Sequence, residues 1–176
     1  EGYPLAWDKR DMEVALDSWM PHQFGEWFTV GDWNCRLHPA GHIPGAAMIE
    51  IKTPQATILW TGDLDTRDSP NAPRAMPVDC DILCMEGTYG GRTHPNREEE
   101  EGRFVSRVLE VVSRGGTALI PAFASGRGQD ILRILHKEAP GLDVHYDVMG
   151  TRVTREWLGC PEFIRDARAM ESAYRW

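Results

Sequence analysis

Three polar side chains stand where apolar runs of the sequence stop: His42 in the turn Gly-His-Ile-Pro-Gly, Asp63 directly after Ile-Leu-Trp-Thr-Gly, and Glu86 at the end of Ile-Leu-Cys-Met-Glu. Neutral imidazoles and carboxylates are donors that hold divalent cations such as zinc. Taken singly, each residue has a plainer reading. A lone histidine is ordinarily a hydrogen-bonded core residue, and Asp63 with Asp65 and Asp68 also reads as a group of aspartates bonding their own loop backbone. His38 precedes His42 by the spacing of a helical metal motif, but Pro39 and Gly41 between them exclude a helix. A carboxylate at the end of a buried strand must be paired, capped or bound to a cation, because an isolated buried charge is too costly. Loops at strand ends commonly carry sites, so His42, Asp63 and Glu86 form a candidate constellation on one sheet edge. That constellation requires the side chains of His42 and Asp63 to meet on the rim of a sheet.

The elements that must position these groups follow from hydrophobic period and turn chemistry. Residues 8–20 place Met12, Ala15, Leu16 and Trp19 at helical spacing, with Pro21 as a stop. Glu-Trp-Phe-Thr-Val and Trp-Asn-Cys-Arg-Leu-His flank Gly31-Asp32, a hairpin signal. A second hairpin turns at Pro54-Gln55, giving a four-strand meander. Pro70, Pro73 and Pro77 make residues 66–79 a loop, and Cys-Asp-Ile-Leu-Cys-Met-Glu-Gly reads as a strand covered on both faces. Beyond residue 90 the pattern changes. Asn96 is positioned to cap a long helix with acids in its first turn and Arg-Gly-Gly at its end. Thr-Ala-Leu-Ile-Pro-Ala-Phe, a glycine loop, a helix and Leu-Asp-Val-His-Tyr-Asp-Val then alternate as β-α-β-α, the pattern of a parallel sheet covered by helices. The expected division is 1–90 and 91–176.

Bulk properties narrow the classes. The 176 residues are 41% hydrophobic and 26% charged, the composition of a globular chain. A net charge of -8 repels a phosphate backbone, so any nucleic-acid site must be local. Cys35, Cys80, Cys84 and Cys160 contain no Cys-x-x-Cys pair and are expected as reduced thiols. No apolar run reaches the roughly 20 residues of a membrane helix, so the expectation is a soluble, cytoplasmic protein with no membrane partner. The chain opens on Glu1 without methionine, which points to a piece of a longer polypeptide.

Four ordered blocks, His-Pro-Ala-Gly-His-Ile-Pro-Gly-Ala-Ala, Trp-Thr-Gly-Asp-Leu-Asp-Thr-Arg-Asp, Glu-Gly-Thr-Tyr-Gly-Gly through Phe104, and Gly115 through Leu135, resemble the metallo-β-lactamase-fold β-CASP nucleases. The match is nearest to the branch typified by the cleavage and polyadenylation endonuclease and its ribonuclease J-like prokaryotic relatives. The resemblance implies an α/β fold, part of a metallo-β-lactamase αββα sandwich followed by part of a β-CASP domain with a parallel sheet. It implies that His42 ligates zinc, that Asp63 bridges two zinc ions, and that Glu86 lies beside them in the catalytic centre. It implies cleavage of single-stranded RNA by metal-hydroxide attack, two ions sharing the nucleophile and neutralising charge on the phosphate.

The stretch Phe-Ala-Ser-Gly-Arg-Gly-Gln-Asp resembles the family segment that opens a helix facing the cleft. There Ser125 and Arg127, with backbone N–H groups, suit a substrate phosphate, whereas the plainer reading is an ordinary strand-to-helix turn. Gly128 stands where relatives have a better helix former, and Asp147 and Met149 match residues bordering the cleft. The family's main His-x-His-x-Asp-His motif is absent, as are two later histidines. The chain therefore resembles the middle of a nuclease, with too few ligands to close a tetrahedral site alone. A non-catalytic scaffold or RNA-binding subunit of the same fold and a DNA nuclease remain as alternatives, and a homodimer is allowed.

Overall fold

The computed structural model describes residues 6–176. Helix α1 (Lys9–Asp17) starts at Asp8, whose carboxylate accepts from the N–H groups of Arg10 and Asp11, while Asp11 returns the bond to the Asp8 N–H. It ends before the expected Met20, with Ser18 at its C-terminal cap donating its hydroxyl to the Val14 carbonyl at 2.7 Å. The strands β1 (Trp27–Val30), β2 (Trp33–Pro39), β3 (Ala47–Lys52), β4 (Thr57–Trp60) and β5 (Ile82–Cys84) form one sheet in that order. The first three pairings are antiparallel and β4 pairs β5 in parallel. The expected meander is present, and the fold is α/β with a mixed sheet.

Register sorts the side chains. Trp27, Arg36 and Glu50 are successive cross-strand partners and share a face with His38, Met48 and Lys52. Met48 and Leu59 bury against Ala40 and Ala75, with Ala46, Val78 and Cys80 closing the cluster beneath the proline loop. A one-residue slip would exchange this face with the apolar one carrying Leu37, Ile49 and Ile51, so burial locks the register.

The second half is built on α2 (Arg97–Ser113), α3 (Arg127–Glu138), α4 (Val148–Leu158), a 3-10 turn at Pro161–Phe163, and α5 (Ala167–Arg175). Asn96 caps α2 by accepting from the N–H groups of Glu98 and Glu99. Val105 and Val108 of α2 pack on Ile134 and Leu135 of α3. The parallel sheet expected here is a correction: among the described residues, 117–123 and 142–147 join no ladder. Residues 117–123 keep a strand's alternation, with Ala118 and Ile120 packed on the helical core and Leu119 and Phe123 exposed at 93% and 86%. Extended backbone becomes a strand only when its N–H and C=O groups find a neighbouring chain. The parallel pairing that does form lies between β4 and β5.

Polar contacts tie the loop after Asp63 to the helices. The Asn71 side-chain amide donates to Asp130 at 2.5 Å, and Arg133 donates to the Pro70 carbonyl and to Asn71 Oδ1. Arg165 donates its backbone N–H to Asn71 and its guanidinium to Ser69, and pairs with Asp68 at 3.3 Å. Burial pushes the Asp130 carboxyl up, against the opposing charges of Arg97 and Arg127.

Candidate metal centre at the sheet edge

The edge where β2, β4 and β5 end carries the three residues singled out by the sequence. After Pro39 the chain turns back through 40–46, held by the Ala40 N–H on the Ala46 carbonyl at 2.8 Å. Gly41 sits at φ +80 in a bridge with Leu64, and a Cβ there would lie 2.3 Å from the Asp65 carbonyl oxygen and 2.7 Å from the Ala75 nitrogen. Only glycine lets the His42 turn approach the Asp63 loop so closely. The result is His42 Nε2 at 3.8 Å from Asp63 Oδ2, both side chains open to solvent. The distance is too long for a hydrogen bond. Two donors on one tetrahedral zinc, each about 2.0–2.2 Å from it, sit roughly 3.3–3.6 Å apart, so the pair needs only a small adjustment to share a cation.

Glu86 is fixed beside them. Its carboxylate accepts from the Leu64 N–H at 2.9 Å and the Thr88 N–H at 3.4 Å, and its own N–H reaches the buried Thr61 hydroxyl. Bonds from Thr88 and Leu64, with a contribution from the charge of His42, hold the Glu86 carboxyl below the usual range. Glu86 is thereby an anchored anion beside the turn that carries Asp63. The loop-bonding reading offered for the aspartates describes Asp65, which accepts from the Arg67 N–H and pairs with its guanidinium, and Asp68, which accepts from the Arg74 N–H. Among the described residues Asp63 makes no such bond, and no group of three His, Cys, Asp or Glu side chains converges on one point.

The glycine loop adjoins this edge. A Cβ on Gly126, at φ +93, would come within 2.9 Å of the Ile43 methyl, so the loop lies against the residue after His42. Gln129, almost fully buried, ties the loop down by accepting from the Gly126 N–H at 2.8 Å and donating to Ala124 and Thr154. Ser125 and Arg127 are exposed, and Arg127 leans on Asp130 at 3.4 Å. Gly128 starts α3 without a side chain because the Tyr146 hydroxyl occupies that space, 2.9 Å from where a Cβ would be. Asp147 caps α4 through the Met149 N–H, and Met149 is exposed.

Sequence reasoning passed over Asn71 and Asp130, buried polar residues whose bond joins the two halves, and Gln129, which ties the glycine loop within the second half. Asn71 lies in a proline-rich loop and Asp130 at an ordinary helix start, so only their distant partners reveal them. It also treated His38 solely as a failed helical partner of His42. In the structure His38 Nε2 lies 2.8 Å from the buried Glu50 carboxylate.

The chain is thus a mixed-sheet α/β protein that brings an imidazole, two carboxylates and a glycine loop to one sheet edge. No family model matches the chain. Curated proteins do: RNase aCSPSF2 of Saccharolobus solfataricus is 33% identical over 176 residues, covering 98% of this chain and 36% of the relative. Probable RNase MJ4 of Methanocaldococcus jannaschii is 33% identical over 180 residues, covering 99% and 42%. Cleavage and polyadenylation specificity factor 73 of Drosophila melanogaster is 36% identical over 133 residues, covering 74% and 19%. The chain belongs to the β-CASP metallo-β-lactamase-fold nuclease family, and it spans about 36–42% of the length of the first two relatives.

Proposed function

We propose that this chain is the central segment of a zinc-dependent ribonuclease that cleaves single-stranded RNA. In this reading the division falls at residue 90, with a metallo-β-lactamase-like part before it and a β-CASP-like part after. The observation that carries the assignment is the His42–Asp63 pair at 3.8 Å on the rim, exposed and unbonded. His42 and Asp63 would hold the metal, and Glu86, bonded to the Leu64 N–H, would fix the loop that presents Asp63. Bound zinc supplies an activated water and a counter-charge for the phosphate. Ser125, Arg127 and the N–H groups opening α3 face a phosphate of the strand in this reading, supported by the packing of Gly126 on Ile43. The donor set fits zinc in type, and the full ligand complement requires donors beyond these two. Four free cysteines support a cytoplasmic setting.

The test is cleavage of a labelled single-stranded RNA, with a DNA of the same sequence alongside, by a polypeptide of the relatives' full length carrying this segment. RNA cleavage with zinc, reduced on the order of 100-fold or more in Asp63→Asn, is the expected result. An unchanged rate in that variant removes the assigned role. Preference for DNA would move the substrate, and binding without cleavage would favour the scaffold reading.

A further inference from the structure

The sheet face that carries Glu50 also holds a groove of about 560 Å³, walled by β2 and β3 on one side and residues 74–79 on the other. Glu50 forms its floor and is 3% exposed. Arg36 donates both Nε, at 3.0 Å, and Nη2, at 2.7 Å, to the single oxygen Oε2, and His38 meets the same oxygen. Lys52 approaches the other oxygen at 3.6 Å. One carboxylate is thus surrounded by more donors than it needs, and Arg36 keeps its second terminal nitrogen for another acceptor. Arg74 brings a third cation from the opposite wall, so three cations line the groove against Glu50 and Asp79. In a chain of net charge -8 that is a local reversal of the field.

The cations are also pre-ordered. Trp27 holds the Arg36 guanidinium carbon 4.5 Å and the Lys52 nitrogen 4.6 Å from its ring centroid. Side chains already restrained by an aromatic ring lose less freedom when a ligand binds. Arg74 connects the groove to the rim, since its carbonyl carbon would lie 3.2 Å from a Cβ on Gly41, the neighbour of His42. We propose that this groove binds the phosphodiester backbone of a single-stranded RNA outside the cleavage edge. Guanidinium forks suit phosphate oxygens, and the free terminal nitrogen of Arg36 and the Arg74 side chain supply them here. The choice of RNA among phosphodiesters rests on the ribonuclease reading; the groove itself does not.

The experiment is fluorescence anisotropy of a labelled oligouridylate of about ten nucleotides in EDTA, so that no metal or cleavage enters, across roughly 50–200 mM salt. The Lys52→Ala/Arg74→Ala double variant is expected to bind on the order of ten-fold more weakly, with the slope of log K against log salt reduced by about 1.4. Arg103→Ala/Arg107→Ala, on the exposed side of α2, is expected to bind as the parent chain does. Wild-type affinity in the groove variant at an unchanged unfolding midpoint overturns the proposal, and so does equal loss in both variants, which would mean general charge. If Ser125→Ala/Arg127→Ala alone abolishes binding, the groove is overturned while the cleavage-edge reading stands. Displacement by polyglutamate as effective as by unlabelled RNA also overturns it, an acidic protein segment then being the better fit.

Discussion

Two histidine–carboxylate pairs lie within a few residues of each other and end differently. His38 and Glu50 meet at 2.8 Å on a covered sheet face, with Arg36 and Lys52 supplying further charge. His42 and Asp63 stand 3.8 Å apart on an open rim. A buried carboxylate has to be satisfied by its own protein, because leaving it alone would cost several kcal/mol. An exposed one can remain free for a ligand. Residue type alone therefore does not separate a pair satisfied within the protein from one left open; burial and the number of protein donors do.

The largest effects are expected from substitutions at Gly41 and Glu50. Gly41→Ala forces a methyl into the Asp65 carbonyl at a backbone angle that only glycine tolerates well. We expect a loss of about 2–3 kcal/mol in denaturant unfolding together with lost activity in the full-length protein, since the rim must open. Glu50→Ala is expected to cost about 2 kcal/mol: the cations it leaves behind are partly exposed, so the penalty falls below that of a fully buried pair. Asp63→Ala, exposed and unbonded, is expected to change unfolding free energy by no more than about 0.5 kcal/mol. If Asp63 proves as costly as Glu50, the contrast between the two pairs fails.

Acidity sharpens the same contrast more gently. Burial alone would raise the Glu50 carboxyl, but bonds from His38 and Arg36 and the charges of Arg36 and Lys52 outweigh it, so the carboxyl lies below its ordinary value. A carboxyl lowered in the folded state stabilises above its unfolded value and loses that contribution as pH falls through the folded one. Unfolding free energy is therefore expected to decline below about pH 4.5, and Glu50→Gln is expected to flatten that decline, as measured by urea titrations at several pH values.

Much of the sheet was legible from sequence because its signals are local. Gly31-Asp32 and Pro54-Gln55 mark the two hairpin turns, and Pro70, Pro73 and Pro77 exclude a further strand in the loop that connects β4 to β5. The Asn96 cap was legible for the same reason. Residues 117–123 show the limit: alternation identifies an extended segment with one packed face, but a ladder needs a neighbour that no local pattern encodes. At the site, the closeness of His42 and Asp63 followed from strand ends and glycine, whereas the Asn71–Asp130 contact spans 59 residues and the Glu50 cluster depends on register across three strands. Long-range satisfaction of buried polar groups is where single-sequence reasoning gives out.

The central claim is that the rim pair, and not the covered pair, takes the metal. Zinc titration calorimetry on a full-length polypeptide carrying this segment tests it with three single variants. His42→Ala and Asp63→Ala are expected to weaken zinc binding on the order of 10-fold or more, and His38→Ala to leave it unchanged apart from lower thermal stability. Zinc affinity that survives both rim substitutions, or that disappears with His38→Ala in folded protein, would contradict the account.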